Sequence, residues 1–268
     1  MLSHEVVGMQ GSVAQMIALT VWGNGALQGR SGYDAASFYP ENPAFRCCEY
    51  VRFGDPDHET ASDPVGWLGW LRGEGVRGLQ MIYGGLEKAE DNRLWVVFAG
   101  QNQDWLLEAV KATTSDYWGC DWQLGDRRRR DGKLWQVTYR RLLVDGPRAA
   151  MPMAAEEVKE RLIAHLPKMA DFAYAHREER FARIFEIALD CLTADPRPKN
   201  DSSLLPPPAE QLLHAAQTAW VFGGMGSWND MSFAHPIQLE YEALSSELYR
   251  LLNLAIMAAV NSSLPPPT

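Results

Sequence analysis

A change of hydrophobic period near Pro152 divides the 268 residues into two kinds of chain. Before it, apolar residues gather in short runs of strand type: 45–53, where Phe45, Cys47, Val51 and Phe53 alternate, then 79–83, 94–99, 117–123 and 134–144. The run at 94–99 is apolar without alternation, as in a central strand covered on both faces. After Pro152, apolar residues recur at helical spacing. Val158, Leu162 and Leu166 form one stripe; Phe181, Ile184, Phe185, Ala188, Leu189 and Leu192 form a second. Strands gathered first and helices second predict an α+β fold: a mixed, mostly antiparallel sheet with helices in the N-terminal part, followed by helices and a C-terminal helical hairpin.

Punctuation residues refine this. Residues 12–22 place Val13, Ile17 and Val21 on one helical face but also suit a strand, and Gly23-Asn24-Gly25 ends or turns the segment. Residues 54–62 read as a polar loop. Asp63-Pro64 starts a helix with Val65, Leu68 and Leu71 inward, and Gly73 and Gly75 stop it. Residues 104–112 read as a short helix, and Pro167 is expected to kink or break the helix around it. The proline-rich stretch 196–208 reads as a linker between a main α+β domain at 1–195 and a helical hairpin at 209–262. That hairpin is too small to stand alone and is expected to dock on the main domain or on a partner.

A net charge of −9 disfavours nucleic acid and anionic membrane and suits a basic partner. Cys47, Cys48, Cys120 and Cys191 show no C-x-x-C spacing, so four reduced, mostly buried thiols in a reducing compartment are expected. The N-terminus lacks a basic and then apolar leader, and the apolar stretches at 13–22 and 251–260 are too short to span a bilayer. The expected location is the cytoplasm, with no membrane partner.

Several segments invite a chemical reading, and most have a plainer one. Gly73-Glu74-Gly75-Val76-Arg77-Gly78 matches a dinucleotide fingerprint, but it follows a helix and precedes a strand, the reverse of what the pyrophosphate site needs. Arg127, Arg128, Arg129 and Arg130 sit between Asp126 and Asp131 at the tip of a long hairpin; a solvated tip is the plain reading, and contact with an acidic protein or RNA the functional one. Asp55, Asp57, His58 and Glu59 crowd one loop without metal-site spacing, and His165 and His176 could meet only in space. Trp118 and Trp122 share a strand face that could line a groove. No nucleophile elbow or cysteine–histidine setting is present, so no catalytic residue, cofactor or metal is assigned. The densest segment runs from Trp220 to Asp230. Its glycines allow close backbone approach, and Ser227, Trp228, Asn229 and Asp230 combine an aromatic plate with hydrogen-bonding groups, the chemistry of an interface hot spot. The plain alternative is a turn with Trp228 tucked on the core.

Leu19-Thr20-Val21-Trp22-Gly23-Asn24, Phe38-Tyr39-Pro40 and Cys47-Cys48-Glu49, with the stretches at 219–230 and 241–261, resemble bacterial immunity-type proteins encoded beside polymorphic or type VI secreted toxins. The resemblance covers about half of the chain in patches. It implies a non-enzymatic protein that neutralises a cognate toxin by occluding it, and the acidic charge of the chain suits a basic toxin domain. It brings no catalytic residues. On this reading Trp228, Asn229, Asp230 and Ser227 carry the binding, with Arg128 and Arg129 second. Two alternatives stand beside it: a hydrolase-like enzyme whose site, built on Asp57, His58 or a cysteine, assembles only in three dimensions, and a scaffold subunit of a larger assembly. The oligomeric state is left open by the sequence.

Overall fold

In a computed structural model that describes residues 11–33, 37–55, 58–84, 104–150, 153–195 and 203–264, strands and helices separate along the chain as the change of period requires. The fold is α+β. Two compact units form, one from residues 11–150 with the return at 263–264, the other from residues 153–262. The division falls near Pro152 and groups the helices at 155–193 with the C-terminal hairpin, where the sequence reading had grouped them with the sheet.

The first unit opens with α1 (Gly11–Leu27), then a 3-10 turn (Pro43–Phe45), β1 (Cys48–Asp55), β2 (His58–Ala61), α2 (Pro64–Gly73), β3 (Gly78–Tyr83), β4 (Trp105–Val110), β5 (Ser115–Leu124) and β6 (Trp135–Gly146). The six strands form one sheet in the order β2-β1-β6-β5-β4-β3, antiparallel except where β1 runs parallel to β6. Asp63 caps α2 as expected, its Oδ1 accepting from the Gly66 N–H at 2.8 Å, with Pro64 in the first turn. The helix ends at Gly73, and Gly75 takes φ +74°, so the glycine fingerprint is a helix-to-strand turn.

α1 and α2 cover one sheet face. There Phe53 stacks on Trp67 and Tyr139 at 4.3 and 4.9 Å, and Trp118 meets Trp67 edge-on at 5.5 Å. Trp118 is wholly buried in this cluster, so it lines no open groove. On the opposite face the half near β1 and β6 is charged and exposed, with Arg140 and Asp121 paired at 3.4 Å. The half near β3 to β5 is apolar, where Ile82, Leu106 and Tyr117 pack with Leu142, Leu143 and Ala149.

Three expectations need correction here. First, Gly23-Asn24-Gly25 lies inside α1 and does not end it. A Cβ at Gly23 would come within 2.7 Å of Leu79, so glycine lets the helix seat closely on β3. The Asn24 amide then pairs with the backbone of Leu79, accepting from its N–H at 2.6 Å and donating to its carbonyl at 3.0 Å. Second, residues 58–61 form the edge strand β2 inside the expected loop. Third, residues 105–110 form β4, with every position buried and partners on both sides; ladder pairing and burial override a helical composition. The strand expected at 94–99 lies outside the described residues.

The second unit holds α3 (Ala155–Ala175), α4 (Glu179–Thr193), α5 (Pro207–Thr218), a 3-10 turn (Trp228–Asp230) and α6 (Ile237–Asn261). α3 packs on α4 and α6, and α5 on α4 and α6, closing a ring of four helices. Val158, Leu162, Leu166, Phe181, Phe185, Ala188 and Leu192 are buried, as their spacing predicts. α3 runs through Pro167 unbroken. α5 starts inside the proline run expected to be a linker, since Pro207 and Pro208 occupy a first turn whose N–H groups need no helical partner. By length and composition α6 could cross a bilayer; 61% of its most apolar window is buried within the structure.

Candidate functional site

The loop between α5 and α6 is anchored by Trp228, which is 0% exposed. Phe181 and Phe185 meet its ring edge-on at 5.1 and 5.3 Å, and Tyr241 tilts over it at 5.5 Å. Its indole N–H donates to Ser245 Oγ at 2.7 Å, and its carbonyl accepts from the Tyr241 hydroxyl at 2.6 Å. The expected surface plate is therefore a core residue, because an indole with satisfied polarity gains more from the aromatic centre of the ring than from solvent.

Asn229 and Asp230 are exposed, and one side-chain oxygen of each is engaged within the loop itself. Asn229 Oδ1 accepts from the Gly223 N–H at 3.1 Å and from Ser227 Oγ at 2.8 Å. Asp230 Oδ2 accepts from the N–H groups of Gly226 at 2.6 Å and Ser227 at 3.2 Å. These bonds hold Gly223, Gly224 and Gly226 at φ +98°, +83° and +76°, a region that glycine enters without Cβ strain. What the loop presents outward is Met225, 103% exposed at its apex. Met225 lies outside the aromatic and hydrogen-bonding pattern of 227–230, and the run of glycines around it is its signal in the sequence.

The arginine tip belongs to the sheet unit. Asp126 Oδ1 accepts from the Arg128 N–H at 2.9 Å, and Asp131 Oδ1 accepts from the Lys133 N–H at 3.1 Å. Arg129 grips Asp131 at 2.7 Å and Glu49 on β1 at 2.9 Å, while Gln136 donates to the other Glu49 oxygen at 2.9 Å. The Arg129 guanidinium, then the Lys133 N–H, bring the Asp131 carboxyl down to about 2. Arg129 is thus a brace and not a free contact, whereas Arg127, Arg128 and Arg130 are exposed.

The other candidates do not converge. Asp57 lies outside the described residues, and His58 and Glu59 are exposed on β2, Glu59 facing Arg52 at 3.5 Å. His165 is buried with Nε2 at 2.9 Å from the Leu244 carbonyl, and the His176 ring lies tilted against Phe172 and Phe233. Among the described residues no group of three or more metal-ligating side chains gathers. The cysteines are all unbridged. Cys48 is buried and its thiol pushed up to about 12 by burial, but Cys47 is exposed and Cys120 and Cys191 half-buried, so the expected burial holds for one of the four.

Sequence reasoning missed Glu108. It sits wholly buried on β4, with Oε1 accepting from Ser115 Oγ at 2.6 Å, the Ala149 N–H at 3.0 Å and the Tyr117 hydroxyl at 3.1 Å, while Oε2 has no partner among the described residues. Burial raises its pKa against the pull of those donors. Its contacts tie residues 147–149 to the sheet. A shallow concavity of about 190 Å³ lies elsewhere, between α3 and α4. Compared with known protein families, curated proteins and solved structures, the chain matches none.

Proposed function

We propose that this protein acts by binding another protein in the cytoplasm, and that the partner is a secreted bacterial toxin which it neutralises by occlusion. The observation that carries the binding reading is the loop at 223–230: an apolar side chain fully in solvent, at the apex of a turn braced by four hydrogen bonds and anchored by a buried tryptophan. Methionine adapts its shape to a partner surface, and a braced loop loses little conformational entropy on docking. Asn229, Asp230 and Ser227 serve by holding that apex. Arg127, Arg128 and Arg130 offer a second, charged contact on the sheet unit, suited to carboxylates. The toxin identity of the partner is supported by the sequence resemblance and by the acidic charge of the chain.

Co-expression with the toxin encoded beside its gene tests the reading, with calorimetry on the purified pair. Protection and a one-to-one complex are expected. Met225→Asp, which alters no described contact, should weaken that complex by tenfold or more, as an interface anchor does. An intact, folded protein that neither binds nor protects would refute the toxin reading. Unchanged affinity in Met225→Asp would move the interface away from this loop.

A further inference from the structure

The concavity between α3 and α4 has a floor of Leu166, Ala170, Phe185 and Leu189 and a rim set by Asp171, Tyr174 and Glu186. At about 190 Å³ it is smaller than the roughly 300–1,000 Å³ of small-molecule sites, and its scale is that of an inserted side chain. Its polar groups are almost all acceptors. The Tyr174 hydroxyl is already committed, donating to Glu186 at 3.0 Å, and both rim carboxylates face solvent. Pro167, also in the lining, has no N–H and so adds no donor to the groove. Around Tyr174 the charges of Glu186 and Glu179 outweigh that of Arg183.

An apolar floor under an acceptor-only, acidic rim fits a segment that carries an apolar side chain flanked by donors. We infer that this groove docks a lysine- or arginine-bearing amphipathic segment of a partner protein, the apolar side chain entering between α3 and α4 and the cations meeting Asp171 and Glu186. This rests on the binding reading above and names the chemistry of the partner. Phe185 joins the two features: it forms part of the floor and packs edge-on against Trp228, the anchor of the Met225 loop.

The test uses the full chain and three labelled helical peptides of equal length, followed by fluorescence anisotropy: lysine–leucine amphipathic, glutamate–leucine amphipathic, and lysine–serine. The lysine–leucine peptide should bind, and the other two should bind at least tenfold more weakly. Asp171→Asn with Glu186→Gln should weaken the lysine–leucine peptide about tenfold. Glu240→Gln with Glu242→Gln, an equal charge change elsewhere on this unit, should alter it less than twofold. Equal loss in both double variants, or equal binding of the lysine–serine peptide, would mean general charge attraction and overturn the proposal. So would self-association of the free chain that the rim variant abolishes, since the occupant would then be a second copy. If the toxin complex forms and ignores the rim variant, the groove is refuted while the binding reading stands. If no toxin complex forms but rim-dependent peptide binding is seen, the groove stands and the toxin reading falls.

Discussion

The sheet unit and the helical unit finish their hydrogen bonding in opposite ways. The sheet unit buries Gln15, Asn24, Glu108, Ser115 and Asp116 completely. Each of them does work that the backbone leaves undone: Asn24 pairs with the edge of β3, Gln15 reaches the Tyr139 hydroxyl at 3.1 Å and the Ala44 carbonyl at 3.2 Å, and Asp116 binds Lys111 and the Asp145 N–H, both at 2.9 Å. In the helical unit the helices satisfy their own interiors, so the centre can be aromatic. Two of its buried polar side chains, His165 and Asn253, reach the backbone carbonyls of Leu244 and Tyr249. A sheet with an edge needs side chains as backbone substitutes; a ring of helices needs a well-shaped apolar filling.

Trp228→Ala should break the comparison most sharply. It removes the residue on which Phe181, Phe185 and Tyr241 converge, at a cost of about 3–5 kcal/mol. Hydrogen exchange should then show protection lost in α3, α4 and α6 and kept in β4 and β5. Equal loss in the strands would mean that the two units share one cooperative core.

Asn24→Ala should cost somewhat less, about 2–4 kcal/mol, because it leaves the Leu79 N–H and carbonyl unpaired in the interior and also removes the 2.7 Å bond that the Asn24 amide donates to Ser263 Oγ. Urea unfolding would measure it. A loss below about 1 kcal/mol would mean that the edge of β3 does not depend on the borrowed amide.

The same difference explains what was legible in the sequence. The helical stripes on α3 and α4, the Asp63 cap and the strands β1, β3, β5 and β6 follow from local spacing and turn chemistry, and they were readable. The errors fall where a tertiary partner decides. Asn24 between two glycines looks like a helix stop until Leu79 lies beside it. The β4 sequence Trp105-Leu106-Leu107-Glu108-Ala109-Val110 looks helical until two strands flank it and Ser115, Tyr117 and Ala149 donate to the Glu108 carboxyl. At the site, the fold buries the Trp228 ring and turns its N–H to Ser245, while Asp230 Oδ2 braces the loop with the N–H groups of Gly226 and Ser227. Met225 and the groove over Phe185 carry no motif; exposure marks the first and curvature the second, and neither is written in one residue type.

The smallest effects should come from pH, and they separate the units by sign. Burial raises the Glu108 carboxyl above its ordinary 4.5, so the stability it contributes is complete below that pH and is lost as pH rises through the folded value. Glu108→Gln keeps an acceptor for Ser115, Tyr117 and Ala149 and does not titrate. Wild-type stability measured relative to that variant should therefore decline as pH increases from 4.5. Burial lowers His165 below its ordinary 6.5, outweighing the Leu244 carbonyl and the Glu247 charge that favour the cation. Its contribution is present above 6.5 and is lost as pH falls through the folded value, so stability relative to His165→Asn should decline on acidification. Urea midpoints for both pairs between pH 4.5 and 8 would read the two slopes. Slopes of the same sign would mean that one of these groups is solvated in the folded protein. Opposite slopes would leave each unit with its own titrating core residue, the carboxyl tying residues 147–149 to the sheet and the imidazole tying α3 to α6.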